Sequence, residues 1–178
     1  NGHMTLAEVR TLALSALWRD GAHEAVWILP YLDERSRSLK ESETRALIVF
    51  AGLPAPDVNV PMSFRHGRVV VDLLLRPWGL VVEYEGHHHQ EERGQYTRDI
   101  DRYALLRSNA VPYLQVTKEK LARPRNFVVQ VHRELMSLGY EGPGPEFGDR
   151  WRQAFRPIRE VVGSRSDWLR AWGRGAVS

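Results

Sequence analysis

The chain has no cysteine among its 178 residues. Disulfides, thiolate metal sites and a cysteine nucleophile are thereby excluded. Lysine is nearly as scarce: of 25 basic residues only Lys40, Lys118 and Lys120 are lysines, and the rest are arginines. An arginine-rich surface suits phosphate, which the guanidinium fork meets in bidentate fashion. A G+C-rich coding sequence produces the same bias without any functional demand. No apolar run approaches the roughly 20 residues that a membrane-crossing helix needs, and no secretory leader is visible. A cytoplasmic protein is the expectation. There is no internal repeat and no low-complexity segment, and Asn1-Gly-His-Met4 reads as an expression remnant.

The net charge of +3 is unevenly spread: −2 over residues 1–60, +3 over 61–139 and +2 over 140–178. Charge alone therefore points to no partner. The length suits one domain with small extensions.

What is present is concentrated in Val69-Val-Val-Asp72-Leu-Leu-Leu-Arg-Pro-Trp-Gly79-Leu-Val-Val-Glu83-Tyr-Glu85-Gly-His-His-His89. Two strongly apolar runs flank Arg-Pro-Trp-Gly, and acids interrupt them at three places. An unpaired carboxylate costs several kcal/mol to take out of water, so three acids on one greasy hairpin call for a positive partner. A turn centred between Pro77 and Trp78 sets residues whose numbers sum to 155 opposite one another. Asp72 then faces Glu83, and Glu85, two residues on, shares their face. Three convergent carboxylates with room for water favour Mg²⁺ or Mn²⁺.

Around this hairpin the pattern gives further elements. Thr5-Leu-Ala-Glu8 is a capping box opening a helix with Leu6, Val9, Leu12 or Ala13, and Leu17 on one face. A second helix runs from about Ala22 to Leu29. Ser38-Leu-Lys-Glu41 opens a third, which Gly52 and Leu53-Pro54-Ala-Pro56 end. From Asp57 the chain alternates, with Val58, Val60 and Met62 pointing one way. Gln95 to Ser108 is helical, Pro112 to Thr117 a strand, and Glu119 to Leu138 helical with a break or late start at Pro124. The predicted class is α/β: an α-β-β-β-α-β-α core over residues 36–139, a mixed sheet flanked by helices, with a right-handed crossover before the last strand. Residues 5–35 form a helical N-terminal extension. Residues 140–178 form a linker and an Arg/Trp-rich helical tail, which includes a short helix from Ser164 with Trp168 and Trp172.

Asp72, an interval of about ten residues, and an apolar strand ending in Glu83-Tyr84-Glu85 resemble the signature of the PD-(D/E)XK nuclease superfamily. The finer similarity is to its very-short-patch-repair-like branch, which includes domain of unknown function 559. It rests on Glu41 eleven residues before Gly52, Ala51-Gly-Leu-Pro54, Val82-Glu-Tyr-Glu-Gly86, His89, Asp99-x-x-Arg102 with Leu106, and Leu114-Gln-Val-Thr117. The resemblance covers about residues 36–138. It implies a restriction-endonuclease-like fold and a Mg²⁺- or Mn²⁺-dependent DNA endonuclease. Catalytic positions would be Asp72, Glu83, Glu85, His89 and Glu41, and metal ligands Asp72, Glu83, Glu41 and the Tyr84 carbonyl. Arg102, Gln115, Lys118 and His88 would contact DNA. Three positions depart from the pattern. Glu85 replaces the superfamily's usual lysine, Asn109 stands where a glycine is expected, and Gln115 stands where an arginine is frequent.

Each group also has a plain structural reading. Glu41 at the third position of a capping box needs no catalytic role. Asp99 and Arg102, one turn apart, would pair with each other by default. The histidine run, a possible zinc or iron site in other settings, points in several directions from a loop; His89 near the acids suits proton transfer near neutrality. The facing pair Asp72 and Glu83 has the weakest plain reading. A DNA-binding or regulatory module of the same fold without catalysis is the alternative, and dimerisation is left open.

Overall fold

The computed structural model describes residues 4–19, 21–85 and 93–155, with residues 93–100 described by backbone alone. The expected short helix from Ser164, with Trp168 and Trp172, lies outside the described residues, as do His87, His88 and His89. The chain forms two compact units, residues 1–145 and 146–178.

In the first unit Thr5 caps α1 (Leu6–Ser15). Its hydroxyl accepts from the Glu8 N–H at 3.2 Å, and the Glu8 carboxylate accepts from the Thr5 N–H at 2.7 Å, which completes the predicted capping box. The expected apolar stripe is only partly covered. Leu12 and Leu17 stay 50% and 38% exposed, because α1 packs against the seven-residue α2 (Ala22–Ile28), too short to shield it all. A 3-10 turn at Leu29–Tyr31 follows, where Pro30 stops the helix. Ser38 then caps α3 (Leu39–Phe50) by accepting from the Glu41 N–H at 3.1 Å, and Gly52, at φ 81°, turns the chain out of it.

Four strands follow: β1 (Asp57–Phe64), β2 (Gly67–Leu75), β3 (Leu80–Tyr84) and β4 (Tyr113–Val116), side by side in chain order. The first two pairings are antiparallel and the third is parallel. The parallel step needs a crossover, which α4 (Arg93–Ser108) supplies. After β4, Thr117 caps α5 (Lys118–Leu121), and α6 (Pro124–Ser137) begins anew with proline in its first turn, where a missing N–H costs nothing. The class is thus α/β, a four-stranded mixed sheet with flanking helices. The left-handed residue after α4 is Ala110, at φ 53°, not Asn109, whose amide instead donates to the Leu105 carbonyl at 2.8 Å.

The pairs Leu73–Val82, Leu74–Val81 and Leu75–Leu80 realise the expected hairpin register. A 3-10 turn at Arg76–Trp78, closed by Gly79 at φ 63°, joins the strands. Helix α3 packs on β2, β3 and α6, whose buried stripe is Phe127, Val128, Val131 and Leu135. Helix α4 contributes Leu106 to a cluster with Val60, Val69, Val71, Leu74 and Val81. Each such side chain, buried in full, stabilises the fold by about 1.5–3 kcal/mol.

That cluster exposes an irregularity. Val60 pairs with Val71 and Leu74 with Val81, yet residues three apart on a regular strand face opposite sides. The pleat slips by one between Val71 and Leu74. Opposite this point on β1 sits Asn59, whose φ of 50° is left-handed, a conformation asparagine adopts more readily than most residues. Burial along β1 still alternates as expected, with Val58, Val60 and Met62 more buried than Asn59, Pro61 and Ser63.

In the second unit α7 (Asp149–Ala154) pairs Arg152 with Asp149, and Trp151 meets Phe147 and Phe155 edge-on or tilted, each at 5.0 Å between centroids. Among the described residues no helix is long and apolar enough to cross a membrane.

Candidate active site

The ladder between β2 and β3 stops at Leu73–Val82, one residue short of Asp72 and Glu83. From there the acids' side chains replace the missing backbone bonds. The Asp72 N–H donates to Glu83 Oε1 at 3.3 Å, and the Tyr84 N–H donates to Asp72 Oδ2 at 2.9 Å. The two carboxylates therefore face each other across splayed strand ends, as the hairpin register implied.

Both are largely removed from water. Glu83 is 1% exposed and the Asp72 side chain 18%. The cation that makes this tolerable comes from α4: Arg102 Nη2 bonds Glu83 Oε2 and lies 3.4 Å from Asp72 Oδ1. Its Nε is buried with no hydrogen-bond partner among the described residues. Arg102 sits one helical turn before Leu106, so one face of α4 delivers both the core plug and the charge. The side chain of Asp99 lies outside the described residues.

One positive charge does not balance two acids. Burial first, and then the Asp72 charge, push the Glu83 carboxyl up to about 8, against the pull of Arg102. Burial also raises Asp72, opposed by the Tyr84 N–H and by Arg102 and reinforced by Glu41. Burial works to lower the Arg102 guanidinium, but the charges of Glu83 and Asp72 outweigh it and the net shift is upward. The centre is short of positive charge, the condition that a second cation or a shared proton relieves.

The other expected residues fall in different places. Glu41 is 8% exposed at the start of α3, close enough for its charge to raise Asp72. Its carboxylate does not close the reciprocal capping box. It accepts from the Arg37 N–H at 2.8 Å, one residue further back, and from the Asn59 amide at 2.9 Å. Tyr84 is half-buried at the end of β3. Glu85 is exposed, its N–H extending the parallel ladder to the Val116 carbonyl at 2.8 Å. The three-acid convergence expected of the hairpin is thus realised for two. Among the described residues no three acids or histidines come within reach of one ion, because Arg102 fills the third position around the pair and Glu85 lies past the buried end of the strand.

Gln115 pairs with Glu83 across the parallel step, and its side chain bonds Tyr103. Burial raises the Tyr103 phenol, which stacks on Tyr113 at 5.4 Å. The Gln115 carbonyl accepts from Lys120 Nζ at 2.6 Å. Lys118 is exposed at the start of α5.

Asn59 was not singled out from the sequence. The β1–β2 pairs all have numbers summing to 131, which places Asn59 opposite Asp72. Asn59, Asp72, Glu83 and Gln115 form one polar row across the four strands. A lone Asn between Val58 and Val60 was the available signal.

No family model and no solved structure matches the chain significantly. Two Mycobacterium tuberculosis sequences, both described as uncharacterized proteins, from strain CDC 1551 / Oshkosh and strain H37Rv, are each 26% identical over 131 residues. The match takes in 72% of this chain and 48% of theirs, so the chain spans about half the length of these curated relatives.

Proposed function

We propose that the protein is a divalent-metal-dependent DNA endonuclease with a restriction-endonuclease-like core. The observation that carries this reading is the Asp72–Glu83 pair, two facing carboxylates at splayed strand ends, buried and short of positive charge. The donor set fits Mg²⁺ or Mn²⁺, because both groups are hard oxygen donors. When bound, such a cation acidifies a coordinated water and offsets charge developing on a phosphate.

Asp72 and Glu83 would hold the ion, with the Tyr84 carbonyl beside them and Glu41 at the margin. Arg102 offsets part of the pair's charge in the ion's absence, and would turn toward a substrate phosphate as the carboxylates are taken up. Glu85, exposed two residues beyond Glu83, would receive a proton from the attacking water. His89 and His88 remain expected contributors from the sequence. Lys118 would meet the nucleic acid backbone, with salt-sensitive affinity. Alanine at Asp72 or Glu83 is expected to abolish Mg²⁺-dependent cleavage of plasmid DNA; cleavage at the wild-type rate would sink the proposal.

A second reading has one observation in its favour. Arg102 already pairs with both acids, so the triad also serves as a structural ion pair in a DNA-binding module without catalysis. Under that reading Mn²⁺ does not bind at neutral pH.

A further inference from the structure

We infer that the tip of the β1–β2 hairpin, through Arg65 and Arg68, grips the phosphate backbone of duplex DNA to one side of the Asp72–Glu83 pair. This rests on DNA being the substrate, as proposed above, and adds where its backbone lies. The arm arises from unequal pairing. The β2–β3 ladder ends at Leu73–Val82, whereas the β1–β2 ladder runs on to Phe64–Gly67. Asp72 stands at the root of this overhang, and Arg65-His66-Gly67-Arg68 forms its end. Arg68 lies four strand residues from Asp72, which spans about 13 Å at about 3.3 Å per residue. A DNA strand advances by nearly the same step, about 3.4 Å per nucleotide, so an arm lying along the duplex meets the backbone about four nucleotides away.

A two-stranded ribbon alone is marginally stable in water, but this one is braced. Met62, Phe64, Val69 and Val71 pack with Leu105 and Leu106 of α4. At the tip the fit is close: a Cβ at Gly67 would stand 3.2 Å from Leu105 Cδ2, nearer than ordinary van der Waals contact. The braced arm carries charge of one sign. Residues 58–71 and 102–118, which pack together here, contain no Asp and no Glu. Arg65, His66 and Arg68 are exposed, and so is Arg107, two residues beyond Leu105. Among the described residues no carboxylate pairs with Arg65, Arg68 or Arg107. Guanidinium groups held on a rigid support without counter-ions suit phosphate, which they meet in bidentate fashion.

The test is duplex binding by the full chain in EDTA, read by fluorescence anisotropy on a labelled duplex of about 20 base pairs over about 50–200 mM salt. EDTA keeps the readout independent of metal and of cleavage. The double variant Arg65→Ala/Arg68→Ala should lower the slope of log K against log salt by about 2, at about 0.9 per phosphate contact, and weaken binding at least about tenfold. Arg65→Lys/Arg68→Lys should keep most of the slope, because an ammonium still meets phosphate as a point charge. Arg10→Ala/Arg133→Ala removes the same charge from exposed positions on α1 and α6 and should leave the slope unchanged. Wild-type slope and affinity in the arm variant, or an equal loss in the Arg10/Arg133 variant, would overturn the inference alone. A wild type that binds no duplex would overturn the DNA-substrate reading with it, so the two failures are distinguishable.

Discussion

The two ends of the β2–β3 hairpin are built from the same apolar strands and do opposite things. At the turn, Leu75 and Leu80 pair directly, each 1% exposed, and Gly79 closes the connection. There the Gly79 N–H donates to the Arg76 carbonyl at 3.1 Å. Three pairs away the ladder ends, the strands part, and Asp72 and Glu83 enter the gap with Arg102 between them. The closed end gains stability from burial. The open end holds two acids whose ionisation the protein itself resists. A site of this kind is stable only because the rest of the hairpin is over-determined.

The largest expected effect lies at the closed end. Leu75→Ala should destabilise the protein by about 3 kcal/mol in chemical denaturation, the middle of the range for a buried leucine, while leaving Mn²⁺ affinity unchanged in the folded fraction. A loss of affinity as large as that of an Asp72 variant would erase the distinction between the two ends.

Next comes Arg102→Met. Removing one partner of a buried ion pair costs about 3–5 kcal/mol; with Arg102 26% exposed, about 2 kcal/mol is the better expectation once solvent screening is allowed for. The loss should be greatest at pH 8 and smallest near pH 5, where Glu83 is protonated and needs no partner. A pH-independent loss would show that packing, not charge, is what Arg102 contributes.

The wild-type stability profile follows from the same shift. Glu83 titrates at about 8 when folded and near its ordinary value, about 4.3, when unfolded. Between those values the folded state carries the extra proton, so stability of the metal-free protein falls as pH rises through the window and levels off above it. The slope is at most about 1.4 kcal/mol per pH unit for one proton. Saturating Mn²⁺ should flatten or reverse it. Thermal melts at pH 5, 6.5 and 8 check this, and a metal-free stability that climbs over that range would contradict it.

The smallest stability effect is expected at Glu85→Gln, within about 0.5 kcal/mol, since the side chain is exposed. Its DNA-cleavage rate should nevertheless drop if Glu85 receives the proton.

The sequence made the hairpin legible because its information is local. Arg-Pro-Trp-Gly marks the turn, and symmetry about it sets Asp72 against Glu83. The crossover and the Pro124 restart were legible for the same reason. What was hidden depends on non-local geometry. By helical spacing Arg102 pointed to Asp99, one turn away, and only the family resemblance suggested that it orients a carboxylate; α4 lies so that its guanidinium reaches acids 30 and 19 residues earlier. Asn59 showed only as a lone polar residue between Val58 and Val60, because its significance comes from the β1–β2 register, which composition does not announce. Glu85 was expected to join the acids by its two-residue spacing, but the buried part of β3 ends before it.

The most direct test of the central claim is calorimetric titration of the metal-free protein with Mn²⁺ at pH 8, alongside Asp72→Asn and Glu83→Gln. The account predicts saturable binding to the wild type, loss in both variants, and folded variants at least as stable as the wild type at that pH because a buried charge has been removed. Absence of binding to the wild type, or wild-type affinity in either variant, would contradict it.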